Sequence, residues 1–418
     1  MPSFKNNLHQ YAELTVRVGL NLRPGQRLII NNAATRGVPL PAAPLVREIV
    51  RAAYAAGARF VDVIWNDEDL LRARAQGAPK DSFDEYPDWQ IRGLLDIVEK
   101  GDAMLTIRAN NPDLLSDLDP ETVNAIQKTH LKRFEPVGRM VSNSAINWCV
   151  VAAAAPAWAA KVFPDLTREK AEAKLWKEIF KVTRADQPDP VAAWKKHIKA
   201  LAARADYLNA KQYTGLKYAG PGTDLKLGLP RNHRWVSARM TAGNGVDFTA
   251  NIPTEEVFTL GHRTQADGTV RATRPLIYGG ALIDDFSLTF EGGRVIRVAA
   301  RKGQATLQRM IETDDGASRI GEISLVPNSS PISKLKHLFY DTLIDENASC
   351  HLALGRAYRF SLVGGETMDD ATFTSRGGNL SLTHVDFMMG SGKLNVDGIC
   401  EDGRSEPVLR KGEWAFDA

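Results

Sequence analysis

Between residues 25 and 65 the apolar residues change period twice, and that change restricts the fold more than any other feature of the chain. GQRLIIN (25–31) is a short β-branched run, APLVREIVRAAYAAGA (43–58) has helical apolar spacing and reaches a stop signal at Gly57, and RFVDVIW (59–65) is again strand-like. Strand, helix and strand in this order read as a βαβ unit. Another strand-like run, AMLTIRA (103–109), follows a helical pattern at 88–100. The economical reading is an amino-terminal α/β layer domain with a partly parallel sheet.

Residues 120–210 are helical in pattern, with Asp189 and Pro190 as cap and first-turn pair before VAAWKKHIKALAARA. After AGPGTDLKLGLP (219–230) the texture changes to short strands and Gly turns. LTFEGGRVIRVAA (288–300) looks like a hairpin, and IGEISLV (320–326), HLALG (351–355) and SLTHVDFMM (381–389) look like strands of a mostly antiparallel sheet. The expected organisation is an α/β domain with a helical segment over 1–220 and an α+β, mostly antiparallel domain over 221–418. No internal repeat is visible.

Composition narrows the partners. The 418 residues carry 53 basic and 50 acidic side chains, an ordinary globular balance that leaves room for two or three domains. The near-cancellation hides an asymmetry: residues 1–240 hold 35 basic against 26 acidic, and 241–418 hold 18 against 24, giving +9 and −6. A +9 excess spread so thinly argues against nucleic acid, and its densest run, Lys195, Lys196 and Lys199, reads as the solvated face of a helix. The longest apolar stretch, Trp148 to Ala160, is interrupted by Pro156 and too short for a membrane span of about 20 residues. MPSFKNNLHQYAEL has no compact apolar run of a secretory signal, so a cytoplasmic address is expected. Cys149, Cys350 and Cys400 are too few and too widely spaced for a disulfide framework or a CxxC site, which fits a reducing compartment.

Several familiar motifs fail. GSGKL (390–394) resembles the tail of a phosphate loop, but Phe387 stands where a glycine is needed and Leu394 where Ser or Thr is needed. Cys350 beside His351 on a strand cannot form a nucleophile and base pair, because neighbours point to opposite faces. The surplus of carboxylates in the second half points instead to cations. His384 and Asp386 share one strand face, either as metal ligands or as a hydrogen-bonded core pair. Glu322 lies on a strand whose other face carries Ile323 and Leu325, so it is either paired or solvated. Glu256 can be a ligand or an exposed turn residue, and His351 a ligand or a core histidine. Together these two histidines and three carboxylates can hold two divalent cations with one carboxylate bridging. Two His and one carboxylate around a single Fe(II) can be written from the same residues.

NIPTEEVFT, DGTVRATRPL, FEGGRV, IGEISLVP, FYDTLIDENASCHLALG and THVDFMMGS, in this order, closely resemble the M29 family of metallo-aminopeptidases, the thermophilic aminopeptidase T group. LNLRPGQRL, the APLVR helix, GARFVDV and FDEYPDW extend the likeness over nearly the whole chain. The resemblance implies a carboxy-terminal catalytic domain, an amino-terminal domain helping to enclose the site, and a homodimer with a sheltered cavity. It implies Glu256 as a metal ligand in preference to Glu255, Glu322 as the bridge between two ions, and His351, His384 and Asp386 as the remaining ligands. Glu346, in DENASCH, is implied as the general base, and Tyr358, in LGRAY, as the residue beside the reacting carbonyl.

The expected chemistry is hydrolysis of the first peptide bond of substrates with a free amino terminus, assisted by two divalent ions among Zn, Co, Mn and Mg. The competing reading is a mononuclear Fe(II) ring-cleaving dioxygenase using two His and one Asp. It leaves Glu256, Glu322 and Glu346 together without an evident need. A third reading, a silent metal-binding protein, requires that an essential group be missing.

Overall fold

The computed structural model describes residues 3–32, 35–278 and 281–418. The chain forms two compact units, Met1–His197 with Arg239–Pro253 and His337–Leu343, and Ile198–Ala238 with Thr254–Lys336 and Ile344–Ala418. The texture change near residue 220 coincides with the first strands of the second unit, Gly215–Gly220 and Thr223–Gly228, whereas the units divide within the helix Pro190–Lys211.

A five-stranded parallel sheet organises the first unit, in the order Asn251–Ile252, Trp148–Ala152, Ala103–Arg108, Arg27–Asn31, Phe60–Val63. The chain leaves the first strand, Arg27–Asn31, for Phe60–Val63 on one side and then crosses to Ala103–Arg108 on the other. That reversal is the switch point of a doubly wound sheet. Leu28, Ile29, Ile30 and Asn31 are all buried, as expected of a strand covered on both faces. Ile29 and Met104 pack with Ile91, Leu94 and Val98 of the helix Asp88–Glu99 and with Val137 of the helix Pro120–Ser142. The helix Ala43–Ala55 buries Leu45, Val46, Ile49, Ala52 and Ala53 as one stripe, with Pro44 in its first turn.

Two features correct the purely helical reading of residues 120–210 and the single passage between domains. Trp148–Ala152 is a central parallel strand, and the apolar run that contains it is divided at Pro156, which opens the helix Pro156–Val162. A continuous apolar run suits a buried strand as well as a buried helix, so periodicity does not separate them. The segment Arg239–Pro253 also returns to the first unit, where Asn251–Ile252 extends the sheet beside Trp148–Ala152.

His130, on the helix Pro120–Ser142, stacks on Phe134 and lies 3.0 Å from the Tyr86 hydroxyl through Nδ1. Burial, with Arg36 nearby, lowers its pKa from 6.5 to about 4. Between these values the unfolded chain binds more protons than the folded one, so this group's contribution to stability falls as the pH drops from 6.5 towards 4. The penalty approaches about 3 kcal/mol below pH 4. In urea unfolding across this range, His130→Leu should flatten the acid side of the profile relative to wild type; parallel profiles would contradict the assignment.

The second unit is built on antiparallel sheets. Its nine-stranded sheet includes the expected hairpin, as Ala281–Glu291 paired with Arg294–Lys302. Its four-stranded sheet runs Val257–Thr259, Ile320–Leu325, His351–Gly355, His384–Met388. Val257, Ile323, Leu325, Leu352, Leu354 and Phe387 of this smaller sheet join one core with Leu216, Tyr218, Phe286 and Leu288 of the larger. Because side chains alternate along a strand, packing this face presents the intervening residues on the other. Cys149, Cys350 and Cys400 are free thiols. Among the described residues no helix is long and apolar enough to cross a membrane.

Candidate metal centre

The face of the four-stranded sheet opposite the core carries Glu322, Ser324, His351, Ala353, His384 and Asp386. Register sets their spacing. Glu322 pairs with Ala353, which pairs with Asp386, so only the methyl group of the intervening strand stands between two carboxylates on the strands that flank it. Ser324 pairs with His351, and Gly355 with His384. The ladder shifts at Gly321, where an added Cβ would lie 2.3 Å from the Gly355 carbonyl oxygen; a side chain at 321 would push the strands apart just where Glu322 begins the row.

Glu256, immediately before Val257–Thr259, reaches the same face. Its Oε2 lies 3.2 Å from His351 Nε2, and Glu322 Oε1 lies 3.5 Å from that nitrogen. The other Glu322 oxygen, Oε2, lies 3.6 Å from His384 Nε2, which is 3.3 Å from Asp386 Oδ1. Among the described residues, Glu256, Glu322 and His351 thus form one group with ligand atoms within 4.8 Å of one another, and Glu322, His384 and Asp386 form a second. Glu322 belongs to both. Glu256, Glu322 and His351 keep only 6%, 5% and 1% of their surface exposed, which excludes a solvated face for Glu322 and an exposed turn for Glu256. Glu255 is directed differently: its backbone N–H donates to Asn347 Oδ1 at 2.7 Å, and the Arg204 guanidinium acts on its carboxylate.

Both histidines are oriented from behind. His384 Nδ1 lies 2.7 Å from the Arg356 carbonyl oxygen and His351 Nδ1 lies 3.3 Å from that of Ser349. An Nδ1–H donated to a carbonyl leaves Nε2 as the free lone pair, the tautomer a metal needs. Ser324 Oγ donates to Glu256 Oε2 at 2.7 Å and holds that carboxylate in place. Sequence reasoning did not pick out Ser324 or Ala353. The available signal for each was strand periodicity, two residues beyond Glu322 and His351 respectively.

The site concentrates negative charge. Burial raises the Glu322 carboxyl, while the hydrogen bond to His351 acts the other way. Burial opposes charging His351, yet hydrogen bonds to Glu256 and Glu322 lift it well above the usual histidine range. His384 is raised to about 9 against its own burial by Asp386 and Glu322, and Asp386 is lowered, against its burial, by His384. Glu346, on the turn Glu346–Ala348, belongs to neither three-residue group. Burial, and then Asp386, Glu256 and Glu322, push its carboxyl well above the usual range. Tyr358 brings its ring to 4.9 Å from that of His384 and stacks on Phe360 at 5.1 Å. Its hydroxyl is pushed up by burial and by Glu322, Asp386 and Glu346. Convergent carboxylate and imidazole atoms around two adjacent points form a donor set suited to divalent cations.

A family model described as thermophilic metalloprotease (M29) matches residues 4–414. Aminopeptidase 2 of Geobacillus stearothermophilus is 46% identical over 417 residues, spanning 100% of both chains. Aminopeptidase T of Thermus thermophilus is 42% identical over 414 residues, spanning 99% of this chain and 100% of that protein. The solved structure of wild-type AmpT from Thermus thermophilus matches with a TM-score of 0.92 at 41% identity, over 99% of this chain and 100% of that one.

Proposed function

The chain belongs to the M29 family of thermophilic metalloproteases, hydrolases that use a divalent metal, and from that premise we propose that it removes amino-terminal residues from peptides at a two-metal site. One ion would be held by Glu256, Glu322 and His351, the other by Glu322, His384 and Asp386. The observation that carries this reading is the position of Glu322 in both groups, with one oxygen turned towards each histidine. Charge supports the same count. Glu256, Glu322 and Asp386 are three carboxylates brought together with little solvent, with Glu346 within electrostatic reach, and two divalent cations would offset that concentration of negative charge.

Bound ions of this kind acidify a water and polarise a carbonyl. The remaining work falls to the chain. The Glu346 carboxylate takes the proton of the attacking water and delivers it to the leaving amine nitrogen. The Tyr358 hydroxyl stays protonated and donates a hydrogen bond to the carbonyl oxygen as charge develops there. The acidic surroundings attract a substrate's terminal ammonium, which favours peptides with a free amino terminus. The family likeness also carries the expectation of a homodimer, and the cytoplasmic location stays an expectation from the sequence.

The reading is tested by hydrolysis of a set of aminoacyl anilides after reconstitution with Zn, Co, Mn or Mg, with amino-blocked versions as controls. Release from the free substrates only is expected; equal cleavage of the blocked ones would refute an exopeptidase. Ser324→Ala should weaken metal binding by about 10- to 100-fold, the usual effect of losing a side chain that orients a ligand. Competition with a chromogenic chelator measures this, and an unchanged affinity would show that Glu256 needs no such support.

A further inference from the structure

The turn Glu346–Ala348 is tied in place by a side chain that no step of the reaction uses. Asn347 is fully buried, and its amide oxygen accepts the Glu255 N–H at 2.7 Å. Glu255 stands before the strand Val257–Thr259 and outside its ladder, so this N–H needs an acceptor from elsewhere in the fold. Asn347 supplies it from 92 residues further along the chain. The Asn347 backbone carbonyl is held as well. Ser330 Oγ donates to it at 2.8 Å, and that buried hydroxyl in turn accepts the Ile332 N–H at 3.2 Å.

Both ends of the bond to Glu255 adjoin the site. Glu346 precedes Asn347, and Glu256 follows Glu255, so one amide oxygen links the segment that carries the base to the segment that carries a proposed ligand. The Asn347 amide gives the Glu346 carboxylate little direct guidance, since Nδ2 stands 3.5 Å from Glu346 Oε1, at the outer limit of a hydrogen bond. Its influence on that carboxylate runs through the backbone they share. The ligand depends less on the link, because Ser324 Oγ holds the Glu256 carboxylate at 2.7 Å and Val257 begins a paired strand. Cutting the link therefore loosens the turn rather than the ligand. An amide suits this place: a neutral acceptor satisfies the N–H without adding a further carboxylate to a site already rich in them.

We propose that Asn347 is a positioning residue of the reaction: clasped to Glu255 and Ser330, it sets where the Glu346 carboxylate stands when the attacking water gives up its proton. This rests on the aminopeptidase reading with Glu346 as base. Because a misplacement of about 1 Å can cost about 100-fold in rate, Asn347→Ala should lower kcat on an aminoacyl anilide by about tenfold or more, with KM changed by less than about threefold. Its metal content should match wild type. Ser330→Ala, which releases the Asn347 carbonyl, should act in the same direction and more weakly. The two substitutions are then repeated in the metal-loaded Glu346→Gln protein, where neither should lower the residual kcat further, since the group they position is gone. An equal drop of kcat with and without Glu346 would overturn the proposal, as would unchanged kcat or lost metal in Asn347→Ala. Should Asn347→Ala not fold, Ser330→Ala carries the same comparison, and unchanged kcat in it overturns the clasp. Wild type that releases no amino acid, or Glu346→Gln with full turnover, would overturn the reading beneath the proposal; an active wild type with a slow Glu346→Gln leaves the clasp alone on trial.

Discussion

Replacing Glu346 by Gln should lower kcat by about 10²- to 10⁴-fold while leaving the metal content at its wild-type level. Gln has nearly the same shape but cannot accept the proton of the attacking water at neutral pH. Glu346 stands on a short turn outside both three-residue groups, so the substitution spares every proposed ligand. Metal analysis and steady-state turnover on the same preparation separate the two effects. Unchanged turnover would remove Glu346 from the mechanism, and loss of metal would reassign it as a ligand.

The second large effect concerns Glu322. Glu322→Ala should deplete both ions together and reduce peptide hydrolysis to background, whereas Glu256→Ala should deplete one. The loss of metal affinity should exceed the roughly 100-fold that marks removal of a supporting group, because a carboxylate is withdrawn from both groups at once. Ion stoichiometry after dialysis against a weak chelator distinguishes the two variants. Retention of two tightly held ions by Glu322→Ala would rule out a bridging role. The same preparations bear on a mononuclear oxygenase: one Fe(II) on His351, His384 and Asp386 should survive the loss of Glu322 and Glu256, and oxygen uptake would reveal it.

Much of the fold can be read from the chain, and the limits have physical causes. The strands at 27–31, 60–63 and 103–108 and the helix between the first two follow from their apolar periods. The strand Trp148–Ala152 does not, because an alanine-rich apolar run has no polar face to reveal its period. The return of residues 239–253 to the first unit has no local sequence signal, since pairing between distant segments is a tertiary event. At the site, alternation shows that His384 and Asp386 share a face, strand-like context offers Glu256, Glu322 and His351 as further candidates, and the likeness to a known family assigns their roles and adds Glu346 and Tyr358. The burial of Glu322 is not legible, because its strand is covered on both sides and a carboxylate between Gly321 and Ile323 reads equally well as surface. Ser324 and Ala353 are ordinary strand residues until register sets them beside Glu256, Glu322 and Asp386.

Four of the five proposed ligands on or beside the small sheet have a core residue next in sequence, and the fifth a residue packed against that core: Val257 follows Glu256, Ile323 follows Glu322, Leu352 follows His351, Phe387 follows Asp386, and the partly buried Val385 follows His384. Neighbours on a strand share one backbone and cannot move independently. Hydrophobic packing on one side is therefore what aims the acids and imidazoles on the other, and a cavity opened behind the sheet would displace the donor atoms in front of it. In this protein a packing defect and a metal-affinity defect are one lesion seen from opposite sides of a strand.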